Sequence, residues 1–309
     1  MPNKESCLPP IDIREDDLSA ISSEVLATLL RDHTTGGNIF WATHDYEVLG
    51  PGYDYHSEIL PELITGENGM VIRPRVLKSK ENQTGRSKEM AEVFTPSWIC
   101  NAQNNLVLDS LPKDMSWKEY VRITCLEITC GEAPYLTSRY DTTTGERIPI
   151  EKRIGLLDRK LRVVSENTQK SDEWLEWAIV AYQNTYGYEW QGDNLLLARE
   201  ALLWSFIENY EAKFGKTPQV EDIAHIADII SWNLWQMDGL RGVVPDSCYE
   251  EEKVIRIEAT FFEGEKEEFK KIPCRGCQQE DIRLHNGTYC LIRDWSTDEI
   301  IRYIDLIQQ

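Results

Sequence analysis

Short β-branched runs alternate with longer amphipathic runs in the centre of the chain. Residues 121–130, VRITCLEITC, and residues 185–190, TYGYEW, predict strands. Residues 171–186 and 193–215 predict helices, because their apolar side chains recur at the spacing of one helix face. The run 220–240 predicts a further helix followed by a third strand. Alternating strands and helices are typical of parallel crossover units, so the pattern predicts an α/β fold.

Helix boundaries carry signals of their own. Thr95–Pro96 opens a helix predicted over residues 94–111, since proline favours the first helical position after a threonine cap. Asp193 suits the positive end of the long helix, and Gly215 suits its end.

The segments before and after this central region have different patterns. Residues 1–90 predict an extension with one helix over 18–33, which Asp17 or Ser19 caps and Gly36–Gly37 ends, and one strand over 38–43. Beyond residue 250, VIRIEATFF and TYCLIRDW predict strands of a small antiparallel or mixed unit. We therefore expect three parts, residues 1–90, 91–250 and 251–309.

Composition restricts the class of protein. The chain of 309 residues is 41% hydrophobic and 28% charged, which is ordinary for a globular protein. It has no apolar run of about 18 residues, so no membrane partner is expected. Residues 1–17 lack the apolar core of an export signal, and the eight cysteines are scattered. Reduced thiols and a cytoplasmic location are the expectation.

The charge balance bears on nucleic-acid binding. Acidic residues outnumber basic ones by 53 to 33, giving a net charge of −20, which argues against DNA binding over the whole surface. Residues 71–88 are the exception, with six basic residues against Glu81. This basic stretch either contacts DNA phosphates or forms a solvated loop.

Three acidic residues follow the three predicted strands. Glu127 precedes a tight turn at Gly131, Glu189 ends the second strand, and Asp238 follows the third. In a doubly wound sheet, a nucleoside lies where such strands end, and a carboxylate there accepts its ribose hydroxyls. Each residue alone is typical of a solvated strand end, whereas three in order favour a site.

Four segments in order resemble motifs of adenine-specific DNA methyltransferases from restriction–modification systems. EVFTPSWICNAQNN resembles their "FTP" element, and LEITCGEAPYL resembles their glycine motif, "LEPSCGDGxFL". YGYEWQGDNLLLAREALL is similar to "YGIELDPDNVEIARERLL", and ISWNLWQMDGL is similar to "NIIxGDAL". Together the segments span residues 91–240.

The resemblance implies a Rossmann-like fold that binds S-adenosylmethionine, with an N-terminal helical extension and a small C-terminal β-rich segment. Trp190 would lie beside the adenine. The other pocket residues implied are Phe94, Thr95, Glu127, Thr129, Gly131, Glu189 and Asp238.

Two departures from the family pattern bear on activity. The second glycine of the glycine motif is Ala133 here, and Pro134 follows. The catalytic motif, Asn/Asp-Pro-Pro-Tyr/Phe, is absent after Asp238. The chain therefore resembles a cofactor-binding part, and a partner subunit would supply the catalytic or target-recognition parts.

A cysteine-rich segment predicts a second site. Cys274 and Cys277 form a C-x-x-C pair, and His285 and Cys290 follow. Four sulfur and nitrogen ligands suit zinc, while reduced cysteines without a metal are the alternative.

Three functions are consistent with these features. The first is DNA adenine methylation, with flipping of the target base. The second is binding of S-adenosylmethionine without transfer, in a regulatory or structural role. The third is an acidic protein that mimics DNA.

Overall fold

The computed structural model describes residues 15–78, 95–256 and 267–307. The α-helices in these ranges are α1 Glu15–Ile21, α2 Ser23–Leu30, α3 Pro61–Ile64, α4 Ser97–Asp109, α5 Trp117–Val121, α6 Leu156–Asn167, α7 Ser171–Gln183, α8 Gly192–Phe214, α9 Val220–Asn233 and α10 Arg275–Gln279. The strands are β1 Cys125–Glu127, β2 Thr185–Glu189, β3 Leu234–Gln236, β4 Glu251–Arg256, β5 Glu267–Ile272, β6 Leu291–Asp294 and β7 Glu299–Arg302. None of these helices is both long and apolar enough to cross a bilayer.

A three-stranded parallel sheet forms the centre of the molecule. Its order is β1–β2–β3, with Glu127 opposite Gly187 and Glu189 opposite Gln236. The chain is therefore mixed α/β, as the alternating pattern predicts. Because all three strands run the same way, their carboxyl ends meet at one edge of the sheet.

The helices α7, α8 and α9 follow the predictions closely and share the main hydrophobic core. Trp174 of α7 is fully buried, and its ring packs against Phe206, Tyr210 and Phe214 of α8. Aromatic side chains bury large apolar areas, so this cluster holds α7 and α8 together.

Residues near the N-terminus belong to the same core. Leu18, Trp41 and Ile72 are buried in one cluster with the apolar side chains of α7, α8 and α9. The segment 15–78 therefore packs onto the α/β centre.

Three local predictions are wrong. The helix predicted over 18–33 is two helices, since Ser22 adopts extended backbone and its Oγ accepts the Glu24 N–H at 3.2 Å. Residues 38–43 make isolated bridges instead of a strand. The strand predicted over 121–130 is shorter and consists of β1 alone. A capping box between Ser116 and Glu119 starts helix α5, which takes up the beginning of the predicted strand.

In the described C-terminal residues, β4 pairs antiparallel with β5 and β6 pairs antiparallel with β7. The two predicted strands correspond to β4 and β6, which do not pair with each other, and their partners β5 and β7 were not predicted. VIRIEATFF lies partly outside the described residues. Ile292 of β6 packs with Tyr188 and Trp235 of the sheet in a second apolar cluster. The β6–β7 hairpin therefore covers part of the sheet.

Candidate functional site

The loop after β1 folds back over the end of its own strand. The two carboxylate oxygens of Glu127 accept the N–H groups of Tyr135 at 3.3 Å and Leu136 at 3.1 Å. Thr129, Gly131 and Ala133 all have positive φ, at 46°, 54° and 56°. Only glycine adopts this conformation without a steric cost, so Thr129 and Ala133 add strain to the loop.

Glu189 joins this loop to the second strand. Its Oε2 accepts the Gly131 N–H at 2.8 Å, and its Oε1 accepts the Gln191 N–H at 3.3 Å. The structure thus brings Glu127, Gly131 and Glu189 together at the carboxyl edge of the sheet, although Gly131 and Glu189 are 58 residues apart.

Both glutamates lie in a poorly solvated place. Burial raises the pKa of Glu127 well above its ordinary value, and the charge of Glu189 adds to this rise. Burial also raises the pKa of Glu189, although N–H donors such as Gly131 oppose the shift. Buried carboxyl groups with raised pKa values are common in binding and catalytic sites.

The third acidic residue stabilises its own turn. Oδ1 of Asp238 accepts the N–H groups of Leu240 at 3.0 Å and Arg241 at 3.2 Å. Its Oδ2 lies 3.4 Å from Nη1 of Arg241. Asp238 therefore sits at the predicted strand end, with its carboxylate engaged locally.

Trp190 is hydrogen-bonded to Tyr55, which lines a cavity that the sequence did not predict. Its Nε1 donates to the hydroxyl of Tyr55 at 3.0 Å, and that hydroxyl donates to Asp246 at 2.8 Å. Tyr55 lines an open cavity of about 630 Å³. The other lining residues are His44, Glu47, Asp54, His56, Ser57 and Asp246.

Helix α4 ties the "FTP" segment to the loop after β1. Asn104 donates to the Tyr135 carbonyl at 3.0 Å, and the Thr95 carbonyl accepts the Thr142 hydroxyl at 3.1 Å. Asp141 accepts the N–H of Ser97 at 2.8 Å, at the start of the helix. Phe94 lies outside the described residues.

Only the start of the basic stretch, residues 71–78, is described. Within it, Nζ of Lys78 lies 3.1 Å from Oδ2 of Asp193, and Tyr46 donates to the same oxygen at 2.8 Å. Both charged side chains are buried. Lys78 therefore faces the protein interior at the start of α8, and nothing in its local sequence signals this pairing.

A cluster of sulfur and nitrogen atoms forms in the C-terminal part. Cys274 and Cys277 at the start of α10 meet His285 from the following loop and Cys248 from the turn before β4. One ligand atom from each residue lies within 4.8 Å of the others.

The sequence predicts Cys290 as the fourth ligand, and this prediction is wrong, because Cys290 lies outside the cluster. Its thiol is fully buried and donates to the Gln236 carbonyl at 3.4 Å, at the end of β3. Cys248 takes its place in the cluster, although 26 residues separate it from Cys274. Chain spacing favours the nearest cysteine, whereas the fold brings in the more distant one.

Comparison with known proteins adds no relative. No protein-family model matches the chain, and neither the curated proteins nor the solved structures include a significant match.

Proposed function

We propose that the chain binds S-adenosylmethionine at the carboxyl edge of the β1–β2–β3 sheet, as the cofactor-binding part of a DNA adenine methyltransferase with a Rossmann-like fold. The contact between Glu189 and the Gly131 N–H supports the proposal most directly. It joins a glycine turn after one parallel strand to an acidic residue at the end of the next. Nucleosides bind at this position in open α/β sheets.

The carboxylate of Glu189 retains capacity for a ligand. Its oxygens accept the N–H groups of Gly131 and Gln191, and the Trp190 N–H also interacts with it, while a carboxylate offers about four acceptor positions in all. The proposal assigns the remaining acceptor capacity to the ribose of the cofactor. Glu127 then acts by holding the loop through Tyr135 and Leu136.

The proposal also assigns contacts with the cofactor to three neighbouring residues. Trp190 would pack beside the adenine, and Asp238 would accept a hydrogen bond from the adenine amino group after releasing part of its own turn. Thr95 would approach the methionine end of the cofactor, since α4 is anchored to the loop through Asn104.

Transfer of the methyl group requires a second chain in this proposal. The catalytic motif is absent from the sequence after Asp238. In the described ranges, β1 pairs only with β2, and Leu126 in β1 and Ile128 just after it are 43% and 63% exposed. An unpaired edge with exposed apolar side chains is suited to strand addition by a partner.

Calorimetry with S-adenosylmethionine tests the cofactor site. We expect wild-type protein to bind and Glu189→Gln to bind at least about tenfold more weakly, a loss of about 1.4 kcal/mol, because the amide loses acceptor positions. Glu119→Gln is the control, since Glu119 lies in the exposed capping box of α5. Circular dichroism checks that both variants fold.

Two results would contradict the cofactor proposal. One is the absence of any binding by folded wild-type protein. The other is a folded Glu189→Gln variant that binds as tightly as the wild type.

A methyl-transfer assay on unmodified DNA separates an enzyme subunit from a binding protein without transfer. We expect incorporation of labelled methyl groups only when the product of a neighbouring gene is added. Binding without transfer under both conditions would favour the regulatory role.

A further inference from the structure

We propose that the chain holds one zinc ion through Cys248, Cys274, Cys277 and His285, in a closed site that organises the C-terminal part. The site shares no residue with the cofactor proposal, so each can be tested separately. The four ligand atoms already lie within 4.8 Å of one another.

The spacing of the ligand atoms fits a tetrahedral ion. Nδ1 of His285 lies 3.5 Å from Sγ of Cys248 and 3.6 Å from Sγ of both Cys274 and Cys277. Zn–S bonds of about 2.3 Å and Zn–N bonds of about 2.0 Å at tetrahedral angles separate nitrogen and sulfur by roughly 3.5 Å. The three measured distances match this value.

Hydrogen bonding alone does not account for this arrangement. One imidazole nitrogen either donates a single N–H or accepts through a single lone pair. Three sulfur atoms at nearly equal distance from Nδ1 therefore exceed what the nitrogen can bond directly. A cation at the centre of the cluster satisfies all four ligand atoms at once.

The backbone around the cluster is shaped to allow the close approach. A Cβ on Gly276 would lie 2.6 Å from the backbone nitrogen of His285 and 2.7 Å from its Nδ1. Only glycine therefore fits between Cys274 and Cys277. A Cβ on Gly287 would lie 3.1 Å from Sγ of Cys248. Because neither glycine has a side chain, the ligand residues can approach the backbone closely at both positions.

The ligands also have supporting hydrogen bonds. The Asn286 N–H donates to Sγ of Cys274 at 3.3 Å, which favours the thiolate form that binds metal. The hydroxyl of Tyr289 accepts the His285 N–H at 2.9 Å and donates to the Ile282 carbonyl at 3.0 Å. These contacts fix the loop that carries the histidine.

The chemistry of the ligand set selects the ion and its role. Three sulfur atoms and one imidazole suit zinc, whereas magnesium and calcium require oxygen ligands. Four protein ligands leave no open position for water or substrate, so the ion is structural.

The ion would link two stretches that flank the β4–β5 hairpin. Cys248 precedes this hairpin, and Cys274, Cys277 and His285 follow it. A few residues further on, β6 packs against Tyr188 and Trp235 of the sheet. Zinc therefore closes the base of the hairpin and positions the chain that enters β6.

The test measures metal content of protein purified without metal-affinity resin. We expect about one zinc per chain in the wild type and a loss of most of it in Cys248→Ser and in Cys277→Ser. Cys290→Ser is the matched control, because Cys290 is a buried thiol nearby in sequence that lies outside the cluster. That variant is expected to keep its zinc.

A second measurement uses the wild-type protein, so that the proposal remains testable if the variants fail to fold. Wild-type protein exchanged with Co²⁺ is expected to show the intense visible absorption of a tetrahedral cobalt–thiolate centre. Wild-type protein without zinc, without this cobalt spectrum, or with a disulfide between two of the three cysteines would overturn the proposal. Equal loss of zinc from folded Cys290→Ser and Cys248→Ser would overturn the assigned ligand set.

Discussion

At the scale of single residues, the main charge cluster of the interior surrounds one carboxylate. Glu208 of α8 accepts hydrogen bonds from Arg139 at 2.6 Å and from Arg153 at 2.5 Å, and all three side chains are at most 10% exposed. Burial lowers the pKa of the nearby Arg147, and the charge of Arg139 adds to the effect. A single carboxylate thus offsets the charges of two buried arginines.

Glu208→Gln is expected to lower the free energy of unfolding by about 3–5 kcal/mol, because it leaves buried guanidinium groups without their counter-ion. Glu211→Gln, three residues further along α8 at an exposed position, is expected to change it by less than about 0.5 kcal/mol. Urea unfolding at neutral pH measures both values. A similar small change for the two variants would show that the cluster does not depend on the charge of Glu208.

At the scale of elements, the start of α8 depends on a close approach between backbones. The Gly192 N–H donates to the Trp41 carbonyl at 3.1 Å, and a Cβ on Gly192 would lie 2.1 Å from the Phe40 carbonyl oxygen. The far end is different, since Gly215 has φ of 66° and open space around it. One glycine is required by packing and the other by backbone conformation.

The two ends of α8 therefore predict different costs for alanine. Gly215→Ala is expected to cost about 1 kcal/mol, the conformational penalty alone. Gly192→Ala is expected to cost about 2–3 kcal/mol, because residues 40 and 41 must move. Thermal unfolding of the pair provides the comparison, and equal melting temperatures would contradict the proposed packing of α8 on this segment.

At the scale of the whole molecule, Arg199 connects the N-terminal helices to the sheet. This fully buried side chain donates to the carbonyls of Leu29 and Arg31 at the end of α2, and to those of Ser231 and Leu234 at the junction of α9 and β3. Its charge is stabilised by backbone dipoles from both regions. The N-terminal segment and the α/β centre therefore share one polar anchor as well as one core.

Replacing Arg199 is expected to loosen both regions together. Arg199→Met leaves four carbonyls without this donor, three of them in buried contacts. At about 1–3 kcal/mol for each buried group left unsatisfied, we expect loss of cooperative unfolding or a large drop in the melting temperature. Lys216→Met removes an exposed cation and serves as the control. Limited proteolysis shows whether cleavage within residues 15–78 increases in the Arg199 variant, and an unchanged digestion pattern would contradict the anchor role.

Several elements could be predicted from the sequence because their signals are local. The helices α7, α8 and α9, the strands β2 and β3, and the acidic residue at each strand end follow from periodicity and capping residues a few positions apart. The helix predicted over 18–33 was wrong although the cause is also local, a cap at Ser22 that divides the run. The strand predicted over 38–43 was wrong because the backbone bridge of Phe40 is to the distant Glu58.

Contacts between distant residues could not be predicted in this way, because they depend on the folded core. Glu189 reaches Gly131 because parallel pairing of β1 and β2 places their ends side by side. Cys248 rather than Cys290 joins the cysteine–histidine cluster because Cys290 is buried against the end of β3. Contacts of this kind depend on how the core packs, and packing joins positions whose separation along the chain carries no periodic signal.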